Sequence, residues 1–231
     1  MRVPKERAII ATHCPIPMTH ESASPLLSAL PLFPLGTVLF PGGLLPLKVF
    51  EVRYLDMVRR CHREGQPFGV VLLTQGQEVR QAGAATETFV DVGTLATVES
   101  LESPQPGLLW VRCRGGERVR IQRRERLPHG LWVADVALLP PDPAVPIPDD
   151  LLPLAERLET LLQSLRQQPG AEDLIRLPTE NQRHDCAWVA NRWCELLPLP
   201  SRIRQQWLTL DNPLLRLELV GDVLDSASHG R

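Results

Sequence analysis

The sequence predicts an α+β protein whose strands and helices are segregated along the chain. Three observations carry this. Short apolar or alternating segments of strand length fill residues 30–139. A stretch with five prolines in nine residues, 140–148, follows them. Beyond it, apolar residues recur at helical spacing. Strands grouped first and helices second argue against a doubly wound sheet, in which the two alternate. The expected organisation is a disordered tail over 1–29, a β-rich part over 30–140, a Pro-rich linker over 141–148 and a helical part over 149–225.

Residues 1–29 mix Pro, Ser, Thr, His and charge without periodicity, which suits a tail; Met18 offers an alternative start. Order is expected from Leu30. The first strand carries Pro31, Pro34 and Pro41. Proline removes a ladder donor, so this strand must lie at an edge or be interrupted. Gly42-Gly43 supplies a turn, and residues 44–49 a second strand. Residues 50–64 read as a helix, with Phe50, Tyr54, Met57, Val58 and Cys61 facing the core and Gly65 closing it.

Residues 68–73 form a continuous apolar run of strand length, 74–88 a polar loop, and 89–98 another strand in which Gly93 marks a bulge or a close backbone contact. Residues 109–114 and 117–122 alternate about Gly115-Gly116, the pattern of a hairpin with a two-residue turn. Residues 131–139 give one more strand. In the helical part, Asp149 or Asp150 can cap a helix running to about Gln168. A second helix covers 180–197, with Cys186, Val189, Ala190, Trp193 and Leu197 on one stripe. Ser201 can cap a short helix to Leu208. Asn212-Pro213 fits an N-cap and first-turn pair for a last helix to about Leu224.

Composition excludes several functions. A net charge of −2 recruits neither nucleic acid nor an anionic membrane by its overall field. The only lysines are Lys5 and Lys48, and neither sits in the glycine-rich setting of a P-loop. The five cysteines, Cys14, Cys61, Cys113, Cys186 and Cys194, are odd in number and widely spaced, with no C-x-x-C, so neither a disulfide framework nor structural zinc is expected. No apolar run approaches the ~18 residues of a membrane span. These features read as a reduced, cytoplasmic protein.

Residues 30–54, LPLFPLGTVLFPGGLLPLKVFEVRY, resemble the opening of the Lon protease N-terminal, substrate-binding domain family. Later pieces fit in the same order: Phe68-Gly69-Val70-Val71, Val92-Gly93-Thr94-Leu95-Ala96, Gly116-Glu117-Arg118-Val119, Trp188-Val189-Ala190-Asn191-Arg192 and Leu196-Leu197-Pro198. Together with Arg204-Gln205-Gln206 and Leu210 they span about 30–224. The resemblance implies a PUA-like β-pseudobarrel with one early helix, followed by a C-terminal helical bundle. It also implies a stand-alone form without ATPase or peptidase, a non-catalytic protein-binding function and no cofactor or metal. The family names no catalytic residue in this region. Most matched positions, including Gly36, Gly42, Gly93, Glu51 and Arg53, are expected to serve the fold.

The expected partner is an unfolded or specific protein segment. Leu32, Phe33, Leu35, Leu39 and Phe40 offer more apolar surface than one short strand can bury. The candidate peptide-binding residues are Phe33, Leu35, Phe40, Pro41, Leu44, Tyr54 and Trp188, with side-chain pockets outweighing strand addition because prolines interrupt the edge. The alternative is RNA binding by an arginine hairpin, with Arg112, Arg114, Arg118 and Arg120 as candidates. A solvated face that blunts a strand edge accounts for those arginines more simply, and nucleic acid is not the expected partner. Cys186 with His184, and Cys61 with His62, cannot meet within one helix, so no nucleophile–base pair is read.

Overall fold

A computed structural model describes residues 26–76, 87–171 and 175–229. Six strands make one sheet: β1 (Leu26–Leu35), β2 (Leu44–Val49), β3 (Phe68–Gln75), β4 (Thr88–Gln105), β5 (Leu108–Arg126) and β6 (Trp132–Leu138), with helix α1 (Val52–Glu64) between β2 and β3. The order is β2-β5-β4-β3-β1-β6, and β5 also pairs with β6. Five strands therefore close on themselves, and β2 extends one half of β5. The α+β class is as expected from the sequence.

Order begins four residues earlier than expected, because Leu26–Leu35 is already strand; residues 1–25 of the expected tail lie outside the described residues. The prolines of β1 do not place it at an edge, and the reason is a stagger. β6 pairs with Leu26–Leu32, whereas the parallel partner β3 pairs with Leu32–Leu35. Pro31 and Pro34 each fall where β1 has one partner, so a missing N–H can face the open side.

The hairpin expected at Gly115-Gly116 is corrected. β5 is continuous there and changes partner, from β2 over Leu109–Arg114 to β6 over Val119–Arg126. The tight turn is instead at Pro106-Gly107, where Gly107 has φ 79°. Gly115 is needed for close approach: a Cβ would lie 2.2 Å from the Phe40 carbonyl oxygen. Two adjacent glycines serve a turn or a crossing strand equally well, and only the partner's position separates them. Gly93 is the same kind of residue, with a Cβ 2.2 Å from the Val70 carbonyl. The expected loop over 74–88 is narrower, since β3 runs to Gln75 and β4 starts at Thr88; 77–86 lie outside the described residues.

Helix α1 starts at Val52, with Glu51 as N-cap, so Phe50 precedes the helix and is 48% exposed. Tyr54, Met57, Val58 and Cys61 do face the core, against Phe33, Phe68 and Val111. Gly65 closes the helix in the left-handed region.

The remaining helices are α2 (Leu152–Arg166), α3 (Glu180–Arg183), α4 (Cys186–Leu196), α5 (Ser201–Leu208) and α6 (Pro213–His229). Two expected caps and one expected helix need revision. Asp149 and Asp150 lie in a 3-10 turn before α2 and do not cap it. The expected 180–197 helix breaks at His184-Asp185, where Asp185 caps α4 by accepting from the Trp188 N–H at 3.0 Å. Ser201 is the first residue of α5, and its hydroxyl donates to the Gly36 carbonyl at 2.7 Å. Asn212 caps α6 as its sequence suggests, accepting from the N–H groups of Leu214 and Leu215, although α6 continues past Leu224.

The two halves meet on buried polar and apolar contacts. Val38, Phe40 and Leu72 of the β-rich half pack into the helical core with Leu158, Val189, Trp193 and Leu217. Asp142, in the Pro-rich stretch, accepts from Arg216 of α6 at 2.7 Å and lies 3.3 Å from Arg118 of β5. Arg216 also donates to Asn191 Oδ1 and the carbonyls of Trp207 and Leu210. Arg118 donates to the carbonyls of Leu208, Leu210 and Pro140. The stretch is bonded further along its length: Cys186 N–H donates to Val145 O, and Ile147 N–H to His184 O.

Candidate functional site

The β1–β2 connection is the pivot of the candidate site. Val38 and Phe40 turn into the helical core, while Leu39 stays with the β-rich core. Thr94 Oγ1 donates to the Leu39 carbonyl at 2.6 Å, which fixes the segment from the strand side. A turn over Phe40–Gly43 follows, with Gly42 at φ 75° and the Gly43 N–H donating to Phe40 O at 3.0 Å. That turn presents the Pro41 carbonyl to α4, where Arg192 Nη2 donates to it at 2.9 Å.

One concavity lies on each side of this connection. The first is a slot of about 310 Å³ between the end of β1 and β2. Phe33, Leu35, Leu45 and Val49 line it, and Phe50 and Lys48 stand at its mouth. Phe33 stacks on Tyr54 with ring centroids 3.9 Å apart, and the Arg53 guanidinium lies 4.5 Å from the Tyr54 ring. Arg53 is itself held by Glu51, Glu87 and the Gly130 carbonyl. Burial, partly offset by the Arg53 charge, pushes the Tyr54 hydroxyl well above its ordinary range. The slot's walls are therefore core side chains already packed against one another.

The second concavity is a cleft of about 570 Å³ between the halves. Leu44 and Pro46 come from β2. Leu162 of α2, Leu177, and Trp188 and Leu196 of α4 face them. Arg192 and Glu195 of α4 form its polar floor. Arg192 Nη2 donates to Glu195 Oε1 at 2.9 Å; its Nε lies 2.9 Å from Oε2 but off the hydrogen-bonding direction. Burial, against the attraction of Arg192 and Arg114, pushes the Glu195 carboxyl up to about 7. Burial also lowers the Arg192 pKa. Desolvation thus outweighs pairing for both partners. Gly43 makes room for this pair, because a Cβ there would lie 1.9 Å from Glu195 Oε1. At the rim, Arg114 donates to Glu99 through Nε at 2.9 Å and Nη2 at 3.1 Å, and Arg176 shares the same carboxylate at 3.2 Å. Hydrogen bonds from Arg114 hold Glu99 below its ordinary value.

The seven candidate peptide-binding residues do not form one surface. Phe33, Leu35 and Tyr54 belong to the slot and are buried. Phe40 is wholly enclosed in the helical core. Pro41 is half-buried and offers its carbonyl to Arg192. Leu44 and Trp188, distant in sequence, meet across the cleft, both half-buried. Sequence reasoning missed Arg192, Glu195, Leu162 and Leu177. The Arg192–Glu195 spacing of three on a helix was a visible signal, but such pairs are ordinary on helix surfaces.

The four candidate RNA-binding arginines also separate. Arg112 Nε donates to Ser100 Oγ at 2.7 Å, and Arg114 faces the cleft. Arg118 is corrected from the outer face to the interior: its side chain is 3% exposed and bonded to the helical half. Arg120 remains exposed.

Cys61, Cys113, Cys186 and Cys194 are buried free thiols. Burial raises the Cys61 pKa and pushes Cys186 up to about 11 and Cys113 and Cys194 up to about 12, against the thiolate a nucleophile needs. Cys14 lies outside the described residues. Cys186 Sγ points at the Pro146 carbonyl, while His184 turns to Glu180. Among the described residues, no cluster of three or more His, Cys, Asp or Glu is placed to hold a metal. No helix among them is long and apolar enough to cross a membrane.

Residues 29–226 match the family described as the ATP-dependent protease La (LON) substrate-binding domain. Among solved structures, the Lon N-terminal domain protein from Xanthomonas campestris is 34% identical, with a TM-score of 0.63 over 84% of this chain and 97% of that one. The N-terminal domain of the Mycobacterium avium complex Lon protease shares the fold at 17% identity and a TM-score of 0.52, over 84% and 96% of the two chains. No curated protein matches the sequence.

Proposed function

The chain belongs to the family of Lon substrate-binding domains, and from that premise we propose that it is a non-catalytic recognition module holding polypeptide segments in the cleft between its halves. One observation carries the choice of site. The cleft is walled by apolar side chains from both halves, Leu44 from one and Leu177 and Trp188 from the other, and its volume of about 570 Å³ suits side chains of an extended segment. The β-rich part and the helical part then act as one unit, since neither carries both walls.

Apolar contact supplies the affinity in this reading, at roughly 25 cal/mol per Å² removed from water. Strand addition plays little part, because Pro46 lies in the nearest edge strand and carries no N–H. The buried, high-pKa thiols and the absence of a metal cluster among the described residues favour binding over bond-making. A reduced, cytoplasmic setting fits the four cysteines among the described residues, all of them free thiols.

The test is fluorescence anisotropy with a labelled, permanently unfolded polypeptide and the full chain. Leu44→Asp and Leu177→Asp should each weaken binding about tenfold or more, since each places a charge against the bound apolar group. Thermal melts identify any variant that has lost its fold. Unchanged affinity in both folded variants would remove the cleft as the site.

A further inference from the structure

Charge around the cleft is lopsided. The chain as a whole carries −2. Yet the charged residues lining the cleft are Arg114, Arg176, Arg192 and Glu195. Past Leu177 the surface continues into a shallower depression of about 430 Å³, lined by Gln163, Arg166 and Gln167. Along both, among the described residues, four arginines face one carboxylate.

Behind the rim, one carboxylate serves two of these arginines. Arg114 and Arg176 share the single carboxylate of Glu99, which already accepts two hydrogen bonds from Arg114. Arg176 is 67% exposed and makes one contact to it. Arg166 is exposed and has no ion-pair partner among the described residues. The polar neighbours Thr179 and Gln182 are neutral. A guanidinium with free donors beside an apolar wall is suited to a carboxylate held bidentately.

We infer that the cleft selects polypeptide segments in which apolar residues are flanked by aspartate or glutamate. The apolar side chains seat against Leu44, Leu162, Leu177 and Trp188, and the flanking carboxylates reach Arg176 and Arg166. This rests on the cleft being the polypeptide site; it adds which polypeptides bind there. Arg192 takes no ligand in this arrangement, because the Pro41 carbonyl and Glu195 occupy it. Glu172 and Asp173, which precede Arg176 in the sequence, lie outside the described residues.

The experiment compares three labelled peptides with the same Leu and Phe residues and with Glu, Gln or Lys at the intervening positions. Against the full chain, the Glu peptide should bind at least about tenfold tighter than the Lys peptide, with Gln between them. Raising salt from about 0.05 to about 0.5 M should close most of that gap, because rim charges are screened while apolar contact is not. Arg166→Glu with Arg176→Glu, both at exposed positions, should abolish or reverse the order. Equal affinities for all three peptides, each weakened by Leu177→Asp, would overturn the acidic preference and leave the polypeptide site standing. Binding by none of the three would overturn both.

Discussion

Two arginine-lined seams join the β-rich and helical halves, and they do opposite things. In the closed seam, the side chains of Arg118 and Arg216 are only 3% and 1% exposed and converge on Asp142. Backbone carbonyls of Pro140, Trp207, Leu208 and Leu210 take further donors, and the side chains of Asn191 and Asp211 complete the set. In the open seam, Arg114, Arg176 and Arg192 edge a cavity, and their carboxylates are shared or held away from their ordinary ionisation. The same residue type serves as glue in one place and, in the proposed function, as a binding wall in the other. What separates them is enclosure: Arg118 and Arg216 are almost wholly covered, whereas Arg176 at the open seam keeps donors in solvent.

The comparison breaks first at Asp142. Asp142→Ala leaves the buried Arg216 without its anion and Arg118 with only the exposed Asp211, and should cost about 3–5 kcal/mol. Urea denaturation would show it as a lower midpoint with the slope retained; a loss under about 1 kcal/mol would mean the seam contributes little. Gly115→Ala comes next. Its Cβ would collide with the Phe40 carbonyl, a backbone atom that cannot swing away, and the expected cost is about 1–3 kcal/mol by the same assay.

Glu195 sharpens the comparison through pH. Its folded carboxyl titrates near 7, against an ordinary value of 4.5. Between those values the folded chain holds a proton that the unfolded chain has released. Stability therefore falls as pH rises through this window, and the cost is complete above it. Glu195→Gln removes that slope, so the variant should gain on the wild type from pH 4.5 to 7. Parallel stability profiles would show that Glu195 is not desolvated. The smallest effect belongs to Arg176→Gln, expected within about 0.5 kcal/mol of wild type because the side chain is largely in solvent. A larger loss would make the open seam a second glue line.

The sequence made the class and most elements legible, for reasons local to each. The bounds of β2 and the Asn212 cap of α6 follow from neighbouring residues alone. The buried stripe of α4 follows from periodicity. Gly115-Gly116 misled because a close crossing and a tight turn select the same residue. Phe50 misled because helical spacing extended back past a cap that only the backbone path fixes. Arg118 misled because alternation assigns a strand face without saying what covers it. The site was half legible. Leu44 and Trp188 were singled out on separate grounds, yet nothing in the chain placed them across one cavity. Phe40 was read as surface because its burying partners, Val189 and Trp193, lie about 150 positions downstream.

Amide hydrogen exchange with and without a saturating unfolded polypeptide tests the central claim most directly. Protection should appear in residues 175–179 and 188–196, on the helical wall of the cleft, and in 42–46 opposite them. Protection confined to 47–54, around the slot beside Phe50 and Tyr54, would contradict it.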